Sequence, residues 1–301
     1  MVPKVVVVTG ATGTQGSAVI SSLLKRGGYL LRGSTRHTDS SASQELTRKG
    51  VEMVRADIAD KVSLVQAFKG AYAVFGNAVF PCPLDAEVQG KNMADACKAN
   101  NVPLFIWSSI PSAIQLSKGR YTDVTHWEQK HAVDEYITSV SQPSVILHLG
   151  AFLDNLFTQP YRLFPSPTPG KWTLSYVLVP GDVKMSSIWI GGDFGEIVRA
   201  VVDVWEEDGW RERLMKEPIS VAGGRYSPND VGESIARLSG QEIEVVNPPA
   251  PPGFPPHLIS MFKLFSDGYY DFSGPNPPEI LLDLGLKSQP NANHVIVHPI
   301  C

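Results

Sequence analysis

Four consecutive valines run straight into a glycine-punctuated turn, "KVVVVTGATGTQGSAVISSLLKRG", and this junction constrains the fold more than any other stretch. A β-branched run apolar on both faces reads as a strand covered on both sides, the habit of a parallel sheet. Gly10, Gly13 and Gly16 follow at the opening of a helix. There the glycines serve three separate needs, which are a tight turn, close backbone approach to a pyrophosphate, and packing of the helix on the strand. Gly13 is expected to hold a positive φ. The helix start adds free N–H groups and a partial positive charge for phosphates.

The same alternation continues. Strands are predicted at residues 4–9, 30–35, 52–56, 73–77, 104–108 and 144–148. Helices are predicted near 15–25, 40–49, 61–68, 85–99 and 127–139. Strands alternating with helices make βαβ units, so the fold class is α/β, a doubly wound parallel sheet with a Rossmann-type core. After Gly150 the rhythm changes: "QPYRLFPSPTPGKWTLSYVLVPG" reads as loops with short strands. A helix at 192–205, a strand near 218–221 and a helix at 227–239 follow, the last opened by Ser227 as N-cap, Pro228 and Asp230. Residues 247–256, "NPPAPPGFPP", form a semi-rigid connector.

Composition narrows the partners. With 43% hydrophobic and 19% charged residues the chain is globular, and a net charge of −4 without a basic run argues against nucleic acid. No apolar stretch approaches about 18 residues, so no membrane span is expected, and the first residues read as a strand rather than a secretory leader. Three scattered cysteines, Cys82, Cys97 and Cys301, argue against a disulfide framework and for a reducing, cytoplasmic setting. His294 and His298 alternate in the tail without supporting ligands, so no metal site is expected.

Cofactor choice is written at the second strand's end. "LLRGSTRHTDSS" carries Arg36, about twenty residues beyond Gly16, where an acidic residue would favour a ribose 2′-OH and an arginine suits a 2′-phosphate. The expected cofactor is NADP(H), although Asp39 stands within reach of a ribose; Arg32 has a plain structural alternative. In "VRADIAD", Asp57 is either an adenine-side residue or, like Asp60, a helix N-cap. In "TDVTHWEQKHAVDEYI", Thr125 and Glu128 form a capping box, and His126 and Lys130 share a helix face with Val133 and Ile137. Ser108 and Ser109 end the fifth strand, either binding a substrate oxygen or capping the strand.

Several stretches together resemble the NmrA-like family of atypical short-chain dehydrogenases/reductases, related to the isoflavone reductases. They are "VVVVTGATGTQGSAV", "GVEMVRADIAD", "NMADACKANNVPLFIWSS", "HWEQKHAVDEYI", "LGAFLDN" and "YSPNDVGESIARLSG". The resemblance implies a dinucleotide-binding domain at 1–152, completed near 191–222, and a smaller interleaved α/β substrate domain at 153–301, with a substrate cleft between them. It implies cofactor contacts at Gly10, Thr12, Gly13, Thr14, Gln15, Gly16, Arg36, Asp57 and Ile58, along Asn77, Ala78 and Val79, and at Phe152 and Asn155. Lys130 stands where the family's active-site lysine stands, so Lys130, His126 and Ser109 are the catalytic candidates, and Lys130 is also a cofactor contact that either protonates a substrate anion or holds the nicotinamide ribose. The usual Tyr-x-x-x-Lys pair is missing: His126 precedes Lys130 by four, and Tyr121 has the wrong spacing.

Phe80, Phe157, Tyr161, Trp172, Met185 and Phe265 are the substrate-side candidates, with Phe262, Tyr269 and Tyr270 closing either a pocket or a dimer interface. These features imply an NADPH-dependent reductase of a small, largely apolar carbonyl or enone-type substrate. Two alternatives stay open. One is an NADP(H)-sensing transcriptional regulator, nuclear in location and acting through a protein partner; the other is a non-redox cyclase, dehydratase or isomerase.

Overall fold

The computed structural model describes residues 3–80, 84–158, 162–272 and 277–285. In chain order the first elements are β1 (Lys4–Val8), α1 (Thr14–Arg26), β2 (Tyr29–Thr35), α2 (Ser41–Arg48), β3 (Glu52–Arg55) and α3 (Lys61–Ala67). Next come β4 (Ala71–Asn77), α4 (Ala86–Ala99), β5 (Leu104–Ser109), α5 (Ala113–Leu116), α6 (Thr125–Ser139) and β6 (Ser144–Leu149). Local chemistry sets these boundaries: Asp60 accepts from the Val62 N–H at 2.9 Å to start α3, and Ser40 caps α2 through the Ser43 N–H. Helix α6 begins at Thr125 itself, one residue before the start expected from a cap at that threonine.

The chain continues through β7 (Ala151–Phe152), α7 (Asn155–Thr158), β8 (Leu163–Pro165), β9 (Lys171–Ser175), β10 (Met185–Ile188) and a π-helical turn (Ile190–Phe194). Then follow α8 (Gly195–Val204), α9 (Trp210–Met215), β11 (Ile219–Val221), β12 (Gly224–Tyr226), α10 (Pro228–Ser239), β13 (Glu242–Val246), α11 (Pro256–Ser266) and α12 (Glu279–Asp283). Two compact units result. The first comprises Met1–Ile110, His126–His148 and Ile190–Ile219; the second comprises Pro111–Thr125, Leu149–Trp189 and Ser220–Cys301.

The first unit is built on a seven-stranded sheet of order β11-β6-β5-β4-β1-β2-β3. Its pairings from β3 across to β6 are parallel. All six residues of β5 and the last three of β1 are buried, which is why β1 and the first four residues of β5 read as unbroken apolar runs. Strand order reverses direction between β1 and β4, and at such a switch point the carboxyl ends of the strands open a crevice. Helices cover both faces. On one, Trp107, Phe105, Leu64, Met93 and Val133 form a continuous core. On the other, α8 lies so close to α1 that a Cβ on Gly195 would stand 2.2 Å from the Ala18 carbonyl oxygen.

The second unit holds two three-stranded sheets, β12-β10-β7 and β13-β9-β8. Both are mixed: β10 runs antiparallel to β12 and parallel to β7, and β9 parallel to β13 and antiparallel to β8. Helix α10 starts as its sequence predicts, with Ser227 and Asp230 closing a capping box behind Pro228. Aromatic rings of Phe254, Phe262, Phe265, Tyr270 and Phe272 pack in sequence, each against the next. No helix among the described residues is long and apolar enough to cross a membrane.

Candidate functional site

The glycine turn divides its labour unevenly. Gly10 holds φ +57° and its carbonyl accepts from the Gly13 N–H at 2.9 Å, so this residue makes the left-handed turn. Gly16 does the packing: a Cβ there would lie 2.2 Å from the Gly10 carbonyl oxygen. Gly13 is the N-cap of α1 with φ −86°, which corrects the expectation of a positive φ; a Cβ would meet only the Gly10 oxygen, at 3.3 Å. Its lack of a side chain serves space, not backbone strain. Since Gly13 has no capping side chain and the first turn has no acidic residue, the N–H groups opening α1 are left to an external anion.

A cavity of about 450 Å³ runs along the strand ends from this turn. Gly10, Thr12 and Gly13 line one side, Arg36, Asp57 and Ile58 another, and Asn77 and Val79 the edge of β4. Thr14 lines a separate cavity of about 600 Å³ between α1 and α2. Arg36 is exposed, and among the described residues it has no ion-pair partner. Arg32, in contrast, is structural: it pairs with Glu52 at 2.8 Å and donates to the Ala67 and Lys69 carbonyls, tying β2 to the end of α3. The two aspartates separate likewise. Asp60 caps α3, while Asp57 accepts from the Ala59 N–H at 2.9 Å and faces the cavity.

At β4, the buried Thr9 hydroxyl bridges to Asn77, accepting from its N–H at 3.3 Å, and holds that side chain over Gly10. Ala78 packs onto the core beneath. Sequence reasoning missed Gln89. It is fully buried in α4 and clamps the loop beyond β4, accepting from the Val79 N–H and donating to the Val79 and Leu84 carbonyls. A glutamine in a helix gives no warning of such a role from spacing alone.

From the turn a chain of side chains leads to the lysine helix. Ser108 Oγ donates to Gln15 Oε1 at 2.7 Å, fixing the first turn of α1 to the end of β5. Ser109, 1% exposed, donates to Asp134 Oδ1 at 2.7 Å. Asp134 Oδ2 meets His148 Nε2 at 2.8 Å and His131 Nδ1 at 3.5 Å. Burial raises the Asp134 pKa, but bonds from His131, His148 and Ser109 more than offset it and hold the carboxyl below its ordinary range. The same aspartate raises the pKa of His131. Ligand atoms of His131, Asp134 and His148 lie within 4.8 Å of one another, a grouping that the sequence reading, which expected no metal site, did not foresee. Its one trace was the i,i+3 spacing of His131 and Asp134.

Lys130 lies on the same helix, its Nζ 5.6 Å from the centroid of the buried Trp107 ring. Desolvation lowers its pKa to about 8, against a smaller opposing pull from Asp134. His126 stacks on the exposed Phe80 ring with centroids 4.8 Å apart, joining the loop after β4 to the start of α6. Tyr121 belongs to the second unit and donates to Asp267 at 2.7 Å; burial pushes its pKa up to about 12, so it is no acid for neutral pH.

The remaining candidates fall in the second unit. Phe152 pairs with Ile188 in β7, Asn155 opens α7, Trp172 sits in β9, and Met185 is buried in β10 beside Tyr226. Phe265 stacks on Tyr270 at 4.7 Å. Phe157 falls in α7, but its side chain, like Tyr161, Cys82, Cys301, His294 and His298, lies outside the described residues. Cys97 is buried and free.

A doubly wound parallel sheet whose first strand turns through glycines into its first helix defines a Rossmann-type nucleotide-binding fold. Within that class the chain belongs to the NmrA-like family, whose profile matches residues 3–271. It is similar to the NmrA-like family domain-containing oxidoreductase ptmS of Penicillium ochrochloron, 30% identical over 216 residues that make up 66% of this chain and 64% of that protein. The match thus spans less than two thirds of such relatives' own length. Two solved structures share the fold. NmrA, a negative transcriptional regulator in complex with NADP, superposes with a TM-score of 0.76 at 21% identity, covering 98% of this chain and 90% of that one; it is also known in complex with NAD. An NADPH-dependent quinone oxidoreductase of Escherichia coli, complexed with NADPH, gives a TM-score of 0.73 at 18% identity, covering 96% and 98%.

Proposed function

We propose that the chain is an NADP(H)-dependent oxidoreductase that reduces a small, largely apolar carbonyl or enone-type substrate. The observation that carries this reading is the cavity along the strand ends, walled by the glycine turn on one side and Arg36 on the other. The residues fit a dinucleotide. Gly10 and Gly13 put no Cβ beside the cavity, the N–H groups opening α1 are uncapped by side chains, and Arg36 offers an exposed cation for a 2′-phosphate. Asp57 and Ile58 suit the adenosine side, and Asn77–Val79 the sugars along β4. The family relatives carry the name oxidoreductase, and two structural neighbours are complexes with NADP or NADPH.

Bound there, the nicotinamide would supply a hydride to an electrophilic carbon. The chain's own part is the proton. With a pKa of about 8, Lys130 is an ammonium at neutral pH that gives up its proton and regains it readily, as a general acid must. His126, one turn earlier on α6, is the second donor. The Ser109 hydroxyl donates to Asp134, and its proposed part is to hold α6 against β5. The second unit is read as the substrate-binding unit, with Phe152 and Trp172 as its half-buried apolar candidates; Met185 and Phe265 are buried within it.

Single-turnover NADPH oxidation against quinones and α,β-unsaturated ketones tests this, with NADPH affinity measured in parallel. Lys130→Ala should lower the rate by about 10²–10⁴ while leaving NADPH affinity nearly unchanged. Lys130→Arg should not rescue, because a guanidinium does not cycle its proton. Undiminished turnover in Lys130→Ala would remove the lysine from the chemistry. The likeness to a negative transcriptional regulator supports a second reading, a sensor of NADP(H) acting through a protein partner. Tight NADPH binding with no oxidation by any of these acceptors would favour it.

A further inference from the structure

We propose that Arg162 is an anion-recognition point of the second unit, taking the carboxylate of a small substrate with an apolar or aromatic body. Arg162 stands immediately before β8, and its carbonyl accepts from the Ser175 N–H at 2.6 Å, which fixes its backbone opposite the end of β9. Its guanidinium is flanked by two rings, with Cζ 5.4 Å from the Tyr176 centroid and 5.7 Å from the Phe262 centroid. Both rings are buried. Among the described residues no carboxylate and no hydrogen-bond acceptor meets the guanidinium, and the titratable group acting on it is the Tyr176 phenol, held neutral by burial.

Proteins seldom leave such a group so. A desolvated cation normally has an ion-pair partner, since burial without one is costly. Flanking rings supply cation–π attraction but leave the fork of N–H donors empty. Arg162 keeps partial exposure, so that fork is reachable. A planar fork between aromatic faces fits a carboxylate, which it can hold through two parallel hydrogen bonds. Beyond Phe262 lies the half-buried ring of Phe254, its centroid 6.0 Å away, an apolar neighbour for the body attached to that carboxylate. The burial that holds the Arg162 pKa below its usual value also strengthens such a bond by excluding water.

This inference rests on the reading that the second unit takes the substrate, and its test separates the two. Full-length chain, with and without saturating NADPH, is titrated calorimetrically with cinnamate, its neutral isostere cinnamamide, and inorganic phosphate. Wild type, Arg162→Met and Arg162→Lys are compared. Cinnamate should bind at least about tenfold more tightly than cinnamamide, and Arg162→Met should lose about 10–100-fold for cinnamate with cinnamamide and NADPH unaffected. Arg162→Lys keeps the charge but not the fork, so it should also weaken cinnamate, and it decides the matter if the Met variant does not fold. Thermal melting adds a readout independent of ligand. With no partner to strand, Arg162→Met should melt at or above the wild-type temperature. A Met variant that melts lower while binding cinnamate as well as wild type makes Arg162 a structural brace and overturns the proposal. So does equal affinity for cinnamate and cinnamamide, or tighter binding of phosphate than of cinnamate. Absence of NADPH binding by wild type, with cinnamate bound as expected, would instead contradict the cofactor reading alone.

Discussion

A lysine ammonium above an indole face, with a buried aspartate one turn further along its helix, is pulled two ways. For Lys130 burial wins over Asp134, and the pKa settles near 8. The unfolded chain keeps the ordinary value of 10.5, so below about pH 8 both states are protonated and the folded state carries the full desolvation cost. Between 8 and 10.5 the unfolded chain holds more protons, and stability rises with pH. Lys130→Met should therefore be more stable than wild type at neutral pH by about 1–3 kcal/mol, with the gap closing toward pH 10. Urea denaturation of both proteins at the two pH values checks this; a Met variant less stable at neutral pH would contradict it. The sequence placed Lys130 and His126 on one face but was silent on what surrounds them, because Trp107 and His148 come from other elements and the fold alone brings them to Asp134 and its helix. The same holds for Ser109, whose strand-end position was legible and whose partner was not.

Among the elements, the turn from β1 into α1 was the most legible, since valine runs and glycines act locally. What spacing did not reveal is which glycine does what. Gly16→Ala puts a methyl group 2.2 Å from the Gly10 oxygen and 2.7 Å from its carbon, both backbone atoms unable to yield without opening the turn. It should lower stability by about 1–3 kcal/mol, as overpacking does, and weaken NADPH binding with it. Gly13→Val should leave the melting temperature close to wild type and abolish NADPH binding. Melting curves and NADPH titrations distinguish the two; equal melting losses would mean that both glycines only pack. Helix α10 was equally plain, because its capping box and proline are contiguous. The sheets of the second unit were not. Their strands are five residues long or shorter, and β9 finds its parallel partner β13 across the whole of α8 to α10. Short strands paired over such distances leave little periodicity to read.

Across the whole molecule, the strand order and the place where it reverses bring together residues from four strand ends: Gly10, Arg36, Asp57 and Asn77. Each was visible in the sequence as a residue at or just past the end of a strand, and topology gathers them along one cavity. Arg162 was not visible, since a desolvated arginine between two rings has no sequence signature. The central claim is that this cavity holds NADP(H), with Arg36 on the 2′-phosphate. One measurement bears on it most directly: calorimetric titration of wild type and Arg36→Ala with NADPH and with NADH. NADPH should bind saturably at one site per chain, tighter than NADH by about 10–100-fold, a charge-assisted contact being worth about 1.5–3 kcal/mol. In Arg36→Ala that difference should largely vanish while NADH affinity holds. Equal affinities for the two cofactors in wild type would contradict the role of Arg36, and no binding of either would contradict the account as a whole.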